Sequence, residues 1–130
     1  MALDSEIVID ASSALCFLRR ERGWEDFPQH IPIGIMSVLN YTEVVQRLLR
    51  DGPDGEARAT LLVEFGLRLI DVDLQTALGA ARLEGPTRRQ GVSLADRICL
   101  ALGLDRGLAV LTADRAWASL GLAIDIRLLR

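Results

Sequence analysis

Two short aliphatic runs near opposite ends of the chain each stop on an aspartate: "IVID", Ile7 to Asp10, and "VLTAD", Val110 to Asp114. Neither alternates apolar with polar residues, so neither suits a strand with one face in water. A continuous aliphatic run of this length suits a strand covered on both faces, the usual state in a parallel sheet. Neighbouring parallel strands need a long crossover between them, usually a helix. The intervening chain therefore has to supply helices.

It does so in order. After Asp10, "ASSALCFLRRER" sets Ala14, Leu15 and Leu18 at helical spacing, with Gly23 beyond its basic end as a stop. "IGIMS", Ile33 to Ser37, reads as a second strand. A helix from Ser37 to Asp51 would turn Leu39, Val44, Val45, Leu48 and Leu49 inward and end at the turn signal "DGPDG". Ala57 to Gly66 completes a helical hairpin, and "LRLIDV" is a third strand. "LQTALGAARLEG" reads as a helix ended by Gly85 and Pro86, "PTRRQGVS" as a basic loop, and "LADRICLALGLDRG" as a helix with Ile98, Leu102 and its alanines inward. "LAVLT" and "AIDIRLL" are strands four and five, with a helical segment starting at Arg115 between them. Strands separated by helices predict βαβ units, hence an α/β fold with helices on both faces of a short, mainly parallel sheet.

A chain of 130 residues suits a single domain over residues 1–130 and one site. Acids in "MALDSEIVID" stand where a secretory signal needs a basic start, and no uncharged run approaches the roughly 18 residues of a membrane span. A cytoplasmic protein with no membrane partner is expected. Cys16 and Cys99 fall inside helical patterns and read as buried free thiols.

Composition narrows the chemistry. All 15 basic residues are arginine, which excludes a Walker A loop, a Schiff base and a Ser-Lys dyad. One histidine, His30 in the proline-flanked "FPQHIPIG", excludes multi-His zinc sites and reads as a loop residue. No GxGxxG motif supports a dinucleotide site. Carboxylate is what remains.

Open parallel sheets bind ligands at the carboxyl ends of their strands, where Asp10 and Asp114 fall. Each is equally suited to cap the helix that follows it. Asp96, three residues after Ser93 in "SLAD", fits a loose capping box. Glu43, in "LNYTEVVQRL", lies at the edge of an apolar helix face and is otherwise a solvated flank residue. If the four acids meet, they repel one another unless a cation compensates. Oxygen-only clusters suit Mg²⁺ or Mn²⁺, ions that activate water and stabilise phosphoryl charge.

The blocks "IVIDASSAL", "LNYTEVVQRL", "SLADRICLALGL" and "VLTADRAWASLG", in that order, resemble the PIN domain, and in particular the VapC-type toxins of toxin–antitoxin pairs. The resemblance spans essentially the whole chain and implies a three-layer α/β/α PIN fold. It implies a Mg²⁺- or Mn²⁺-dependent endoribonuclease that cuts RNA by water attack on a phosphodiester. Asp10, Asp96 and Asp114 would hold the metal, with Glu43 completing the shell or orienting the water. Ser13 and Thr112 match the family's small hydroxyl positions, with Ser12 equally available for the first. It further implies a homodimer held silent by a cognate VapB-type antitoxin.

A net charge of −3 looks adverse for binding RNA. Setting aside the four site acids leaves fourteen acids against fifteen arginines, which weakens the objection without proving binding. Arg19, Arg20 and Arg22, and Arg88 and Arg89 in the basic loop, are candidate RNA contacts; clustered arginines equally form a solvated face. Arg97 and Arg115 adjoin site acids, and Trp24 and Trp117 suit base stacking or the core. Two other readings stay open: a PIN-fold binding module without catalysis, and a small metal-dependent phosphatase. The second is disfavoured by "DASS" where a paired-acid "DxD" belongs.

Overall fold

A computed structural model describes residues 6–130; the acidic start, residues 1–5, lies outside them. Strands β1 (Ile7–Ile9), β2 (Gly34–Ser37), β3 (Arg68–Ile70), β4 (Val110–Thr112) and β5 (Ile126–Leu128) form one sheet in the order β3-β2-β1-β4-β5. All four pairings are parallel. Helices α1 (Ala11–Leu18), α2 (Val38–Asp51) and α3 (Gly55–Glu64) link the first three strands. Helices α4 (Leu74–Arg82), α5 (Glu84–Thr87) and α6 (Leu94–Arg106) carry the chain from β3 back to β4.

The period-two geometry of a strand explains two cores from such short runs. Ile7 and Ile9 of β1, Met36 of β2 and Leu111 of β4 pack with Ala14, Leu15, Val44, Leu48 and Leu62 on one face. Val8, Ile35 and Val110, the alternate residues, pack with Ala80, Ile98, Leu102 and Trp117 on the other. The expected α/β/α layering is present. Strand order reverses between β1 and β4, because the chain winds outward from β1 through β2 to β3 and then returns to β1's other side. The carboxyl ends of β1 and β4 flank that switch point, where open α/β sheets leave a crevice.

Several boundaries differ from the sequence reading. In α2 the inward stripe is narrow: Asn40, Val44 and Leu48, spaced by four, are buried, whereas Leu39 and Leu49 are exposed. Residues 24–32, read without an element, and Ile33, read as the start of the second strand, form two 3-10 helices, Trp24–Asp26 and Pro28–Ile33, and Phe27 and Ile31 are completely buried there. Pro28 presets the backbone there, and His30 sits inside the second segment rather than in a loop. Gly85 and Pro86 do not end a helix but belong to α5, because the first turn of a helix needs no N–H from its proline. Helix α1 ends at Leu18, short of the arginines, and the segment after Asp114 is a 3-10 helix, Arg115–Ser119. Cys16 and Cys99 are buried and free, as expected. Among the described residues no helix is long and apolar enough to cross a membrane.

Candidate active site

Asp10 ends β1 and caps α1. Its Oδ1 accepts the Ser13 N–H at 2.8 Å, and its Oδ2 accepts hydroxyls from Ser12 at 2.7 Å and Thr112 at 2.5 Å. Only 3% of the residue is exposed. Burial pushes its carboxyl up from 3.8 to about 6, against the opposing pull of the Thr112, Ser13 and Ser12 hydrogen bonds.

Thr112, fully buried at the end of β4, joins two of the acids. While donating to Asp10, its Oγ1 accepts the backbone N–H of Asp114 at 3.0 Å. Ser12 Oγ closes the junction by accepting the Ala113 N–H at 3.0 Å. Asp114 itself is exposed and caps the following 3-10 helix, with Oδ1 accepting from Ala116 N at 3.0 Å.

Asp96 and Glu43 come from opposite layers. Asp96 stands at the third position of α6 in a full capping box, where Ser93 N–H donates to Asp96 Oδ2 at 3.0 Å and Asp96 N–H to Ser93 Oγ at 3.1 Å. Glu43 lies in the second turn of α2. Its Oε2 accepts from Arg47 at 3.1 Å, and its Oε1 is the one buried side-chain oxygen among the described residues with no hydrogen-bond partner. Burial raises the Glu43 carboxyl above its usual range, Arg47 opposes the rise, and the charge of Asp96 adds to it. Asn40 ties the two helices together, its Nδ2 donating to Ala95 O at 2.9 Å.

Asp10, Glu43, Asp96 and Asp114 line one small cavity of about 140 Å³ together with Ala11, Ser12, Arg47 and Trp117. The four acids come from the end of β1, from α2, from α6 and from the end of β4. Burial pushes the thiol of Cys99, one turn beyond Asp96, well up, and the charges of Asp10, Asp96 and Glu43 push it further. Capping and cavity-lining are thus not alternatives, since Asp10, Asp96 and Asp114 do both. Among the described residues, no three acidic, His or Cys side chains converge as a ready ligand set for an ion. The local bonds explain this spread: Arg47, Ser93 N–H and Ala116 N–H each hold one carboxylate oxygen to its own element. Four of the lining residues nonetheless offer carboxylate oxygen, the donor type that hard divalent cations take, and Glu43 keeps one buried oxygen without a partner.

The supporting residues divide. Thr112 does not line the cavity but donates to Asp10 Oδ2. Ser13 reaches Asp10 Oδ1 through its backbone N–H, while its hydroxyl turns to the main-chain oxygens of Asp10 and Leu111; Ser12 presents the hydroxyl at the carboxylate. The candidate RNA contacts Arg19, Arg20, Arg88 and Arg89 do not line the cavity. Arg19 is paired with Asp51 at 2.8 Å and Arg88 with Glu84 at 2.9 Å, while the Arg20 guanidinium lies 4.5 Å from the Trp24 ring centre. Arg22 and Arg115 line a separate groove, and Arg97 donates to Thr87 Oγ1 at 3.0 Å. Trp117 serves the core and the cavity wall at once. Arg47 was not singled out from the sequence; its signal is the four-residue spacing from Glu43, which makes the two side chains neighbours on a helix.

Fold and site together define a class: a doubly wound parallel α/β protein with an acidic cavity at its switch point. A family model for the PIN domain matches residues 7–122, and the chain belongs to the PIN domain family. A toxin–antitoxin complex from Klebsiella pneumoniae shares the fold with a TM-score of 0.75 and 15% identity, over 96% of this chain and 98% of that one. DNA-bound VapBC from Salmonella typhimurium gives 0.74 and 18%, over 98% and 100% of the two chains. A Mycobacterium tuberculosis VapC toxin that cleaves the sarcin–ricin loop gives 0.72 and 16%, over 91% and 97%. No curated protein matches the chain significantly in sequence.

Proposed function

We propose that this PIN domain is a VapC-type toxin, a metal-dependent endoribonuclease whose site is Asp10, Glu43, Asp96 and Asp114. The observation that carries the reading is the meeting of four carboxylates from four separate elements in one cavity. Evenly matched helix caps would need no such meeting. The toxin–antitoxin assignment draws on the related fold of the Klebsiella and Salmonella complexes, and RNA as substrate on the sarcin–ricin-loop-cleaving relative. A VapB-type antitoxin is the expected partner, and a homodimer the expected assembly.

The donor set fits Mg²⁺ or Mn²⁺: carboxylate oxygens only, one of them buried without a partner, and a buried Asp10 whose charge calls for a cation. Asp10, Asp96 and Asp114 would hold the ion, with Glu43 completing the shell. When bound, such an ion activates water and offsets negative charge on a phosphodiester. The chain's own part is to fix the oxygens. Thr112 and Ser12 hold Asp10 against the end of β4, and the capping box holds Asp96 at the first turn of α6. Trp117 and Ala11 close the cavity wall with apolar surface, which strengthens the charges inside.

Induced expression in a bacterial host provides the test. Growth arrest by the natural sequence, and none with Asp96→Asn or Asp114→Asn at equal protein level, is expected. Equal arrest by all three proteins would overturn the reading. A second reading, a PIN module that acts without catalysis, draws on the spread of the acids in this structure; it requires the variants to keep the phenotype.

A further inference from the structure

Of the residues lining the acidic cavity, Arg47 alone is a cation. It stands four residues after Glu43 on α2, the order of charges that pairs well along a helix. Its contact at 3.1 Å is the one charged hydrogen bond to the Glu43 carboxylate, which Asn40 also steadies and whose other oxygen is buried without a partner. In return Glu43 is the one hydrogen-bond partner of the Arg47 side chain among the described residues. Half of that side chain, 50%, is exposed, against 20% for Glu43. It can therefore leave for water without disturbing the packed core. Glu43 cannot follow it without dragging its buried oxygen out of the cavity wall.

We propose that Arg47 is a resident counter-ion that competes with the divalent ion for Glu43 and has to release it when the cavity is loaded. The inference rests on the metal-dependent reading above. A guanidinium and a divalent cation drawn to one carboxylate in a cavity of about 140 Å³ repel each other at short range. The same bond gives a reason why the acids do not converge: Glu43 is held by its own helix rather than by the other three. Arg47 is thus a positioning residue, acting through Glu43. The rival account is an ordinary surface pair, in which case the cavity's affinity for an ion is indifferent to it.

The two accounts separate by Mn²⁺ titration calorimetry on the full chain, without reference to activity. Arg47→Gln removes the counter-ion and, as a half-exposed position, leaves the fold intact. Arg47→Lys keeps a cation within reach of Glu43. Arg50→Gln removes one exposed positive charge from the same helix, at a residue that does not line the cavity. Loss of one competing pair at a half-exposed site should tighten Mn²⁺ binding by about threefold to tenfold in Arg47→Gln, with Arg47→Lys and Arg50→Gln within about twofold of the natural sequence. The Mn²⁺-induced rise in Tm should be largest in Arg47→Gln. If Arg47→Gln binds no more tightly than Arg50→Gln, or more weakly than the natural sequence, the counter-ion role is wrong while the metal site stands. If no variant binds Mn²⁺ by heat or by Tm in excess metal, the metal-dependent reading itself falls.

Discussion

Thr112 and Asp10 lie 102 residues apart in the chain, yet the Thr112 hydroxyl donates to Asp10 Oδ2 at 2.5 Å. This bond joins the ends of β1 and β4, the two strands that flank the switch point. Thr112 Oγ1 in turn accepts the Asp114 N–H, so one buried hydroxyl positions two of the four acids. A buried carboxylate keeps its charge only if its lone pairs are satisfied, and Thr112 is part of that provision.

Thr112→Val removes the hydroxyl at nearly constant volume. It leaves Asp10 one donor short and Asp114 N–H without its acceptor, which should lower stability by about 1–3 kcal/mol. Thr112→Ser keeps the hydroxyl and should lose less. Urea unfolding of the three proteins checks this; equal midpoints for Thr112→Val and the natural sequence would count against the bond.

Burial of Asp10 fixes the sign of a pH dependence. Its carboxyl titrates at about 6 in the folded chain and at 3.8 as a free group. Folding therefore takes up a proton between those values, and Asp10's contribution to stability falls as pH rises from about 4 to about 6. Above that the metal-free fold carries a constant penalty on the order of 3 kcal/mol. Asp10→Asn retains an acceptor for the Ser13 N–H and removes the charge, at the smaller cost of the oxygen that takes the Ser12 and Thr112 hydroxyls. In chelator it should raise Tm at pH 7.5, and the gain should disappear by pH 4. A variant no more stable than the natural sequence at pH 7.5 would show that Asp10 is not strained by its burial.

Gly55 sets the closest approach of α3 to α2. A Cβ there would lie 2.5 Å from Leu49 N and 2.6 Å from Leu48 C, both main-chain atoms that cannot rotate away. Gly55→Ala improves helix propensity by up to about 1 kcal/mol, but the forced separation of helices should outweigh it, giving a net loss of about 1–3 kcal/mol. A stabilised Gly55→Ala protein by urea unfolding would contradict the packing described.

Much of this was legible because burial on both faces writes itself into sequence. Ile7–Ile9 and Val110–Leu111 are aliphatic without alternation, and the acids that end their segments stand out against them. Glu43 was harder: its place at the edge of an apolar helix face reads equally as a flank, and the PIN resemblance was needed to tip the balance. The 3-10 segments around Phe27 and Ile31 were not legible, since they follow no helical period and lie among prolines. Pairing was invisible altogether. An arginine four residues from a glutamate looks the same whether it faces water or a cavity, so Arg47 passed unnoticed while Arg19 and Arg88, bound to Asp51 and Glu84, drew attention.

Ser93→Ala tests the scaffold of the third acid. Losing the N-cap of α6 should cost about 1 kcal/mol. Asp96→Asn should cost less, because an asparagine oxygen still accepts the Ser93 N–H at that position. Thermal unfolding of both variants decides, and an Asp96→Asn protein less stable than Ser93→Ala would contradict the assigned hydrogen bonds. The same result makes Asp96→Asn a folded control for activity.

That control permits the most direct measurement: incubation of total cellular RNA with purified protein, with and without Mn²⁺, beside Asp96→Asn prepared identically. We expect cuts at a few discrete positions that require the metal and are absent with the variant. Identical RNA patterns from the two proteins in excess Mn²⁺ would contradict a nuclease built on the four acids.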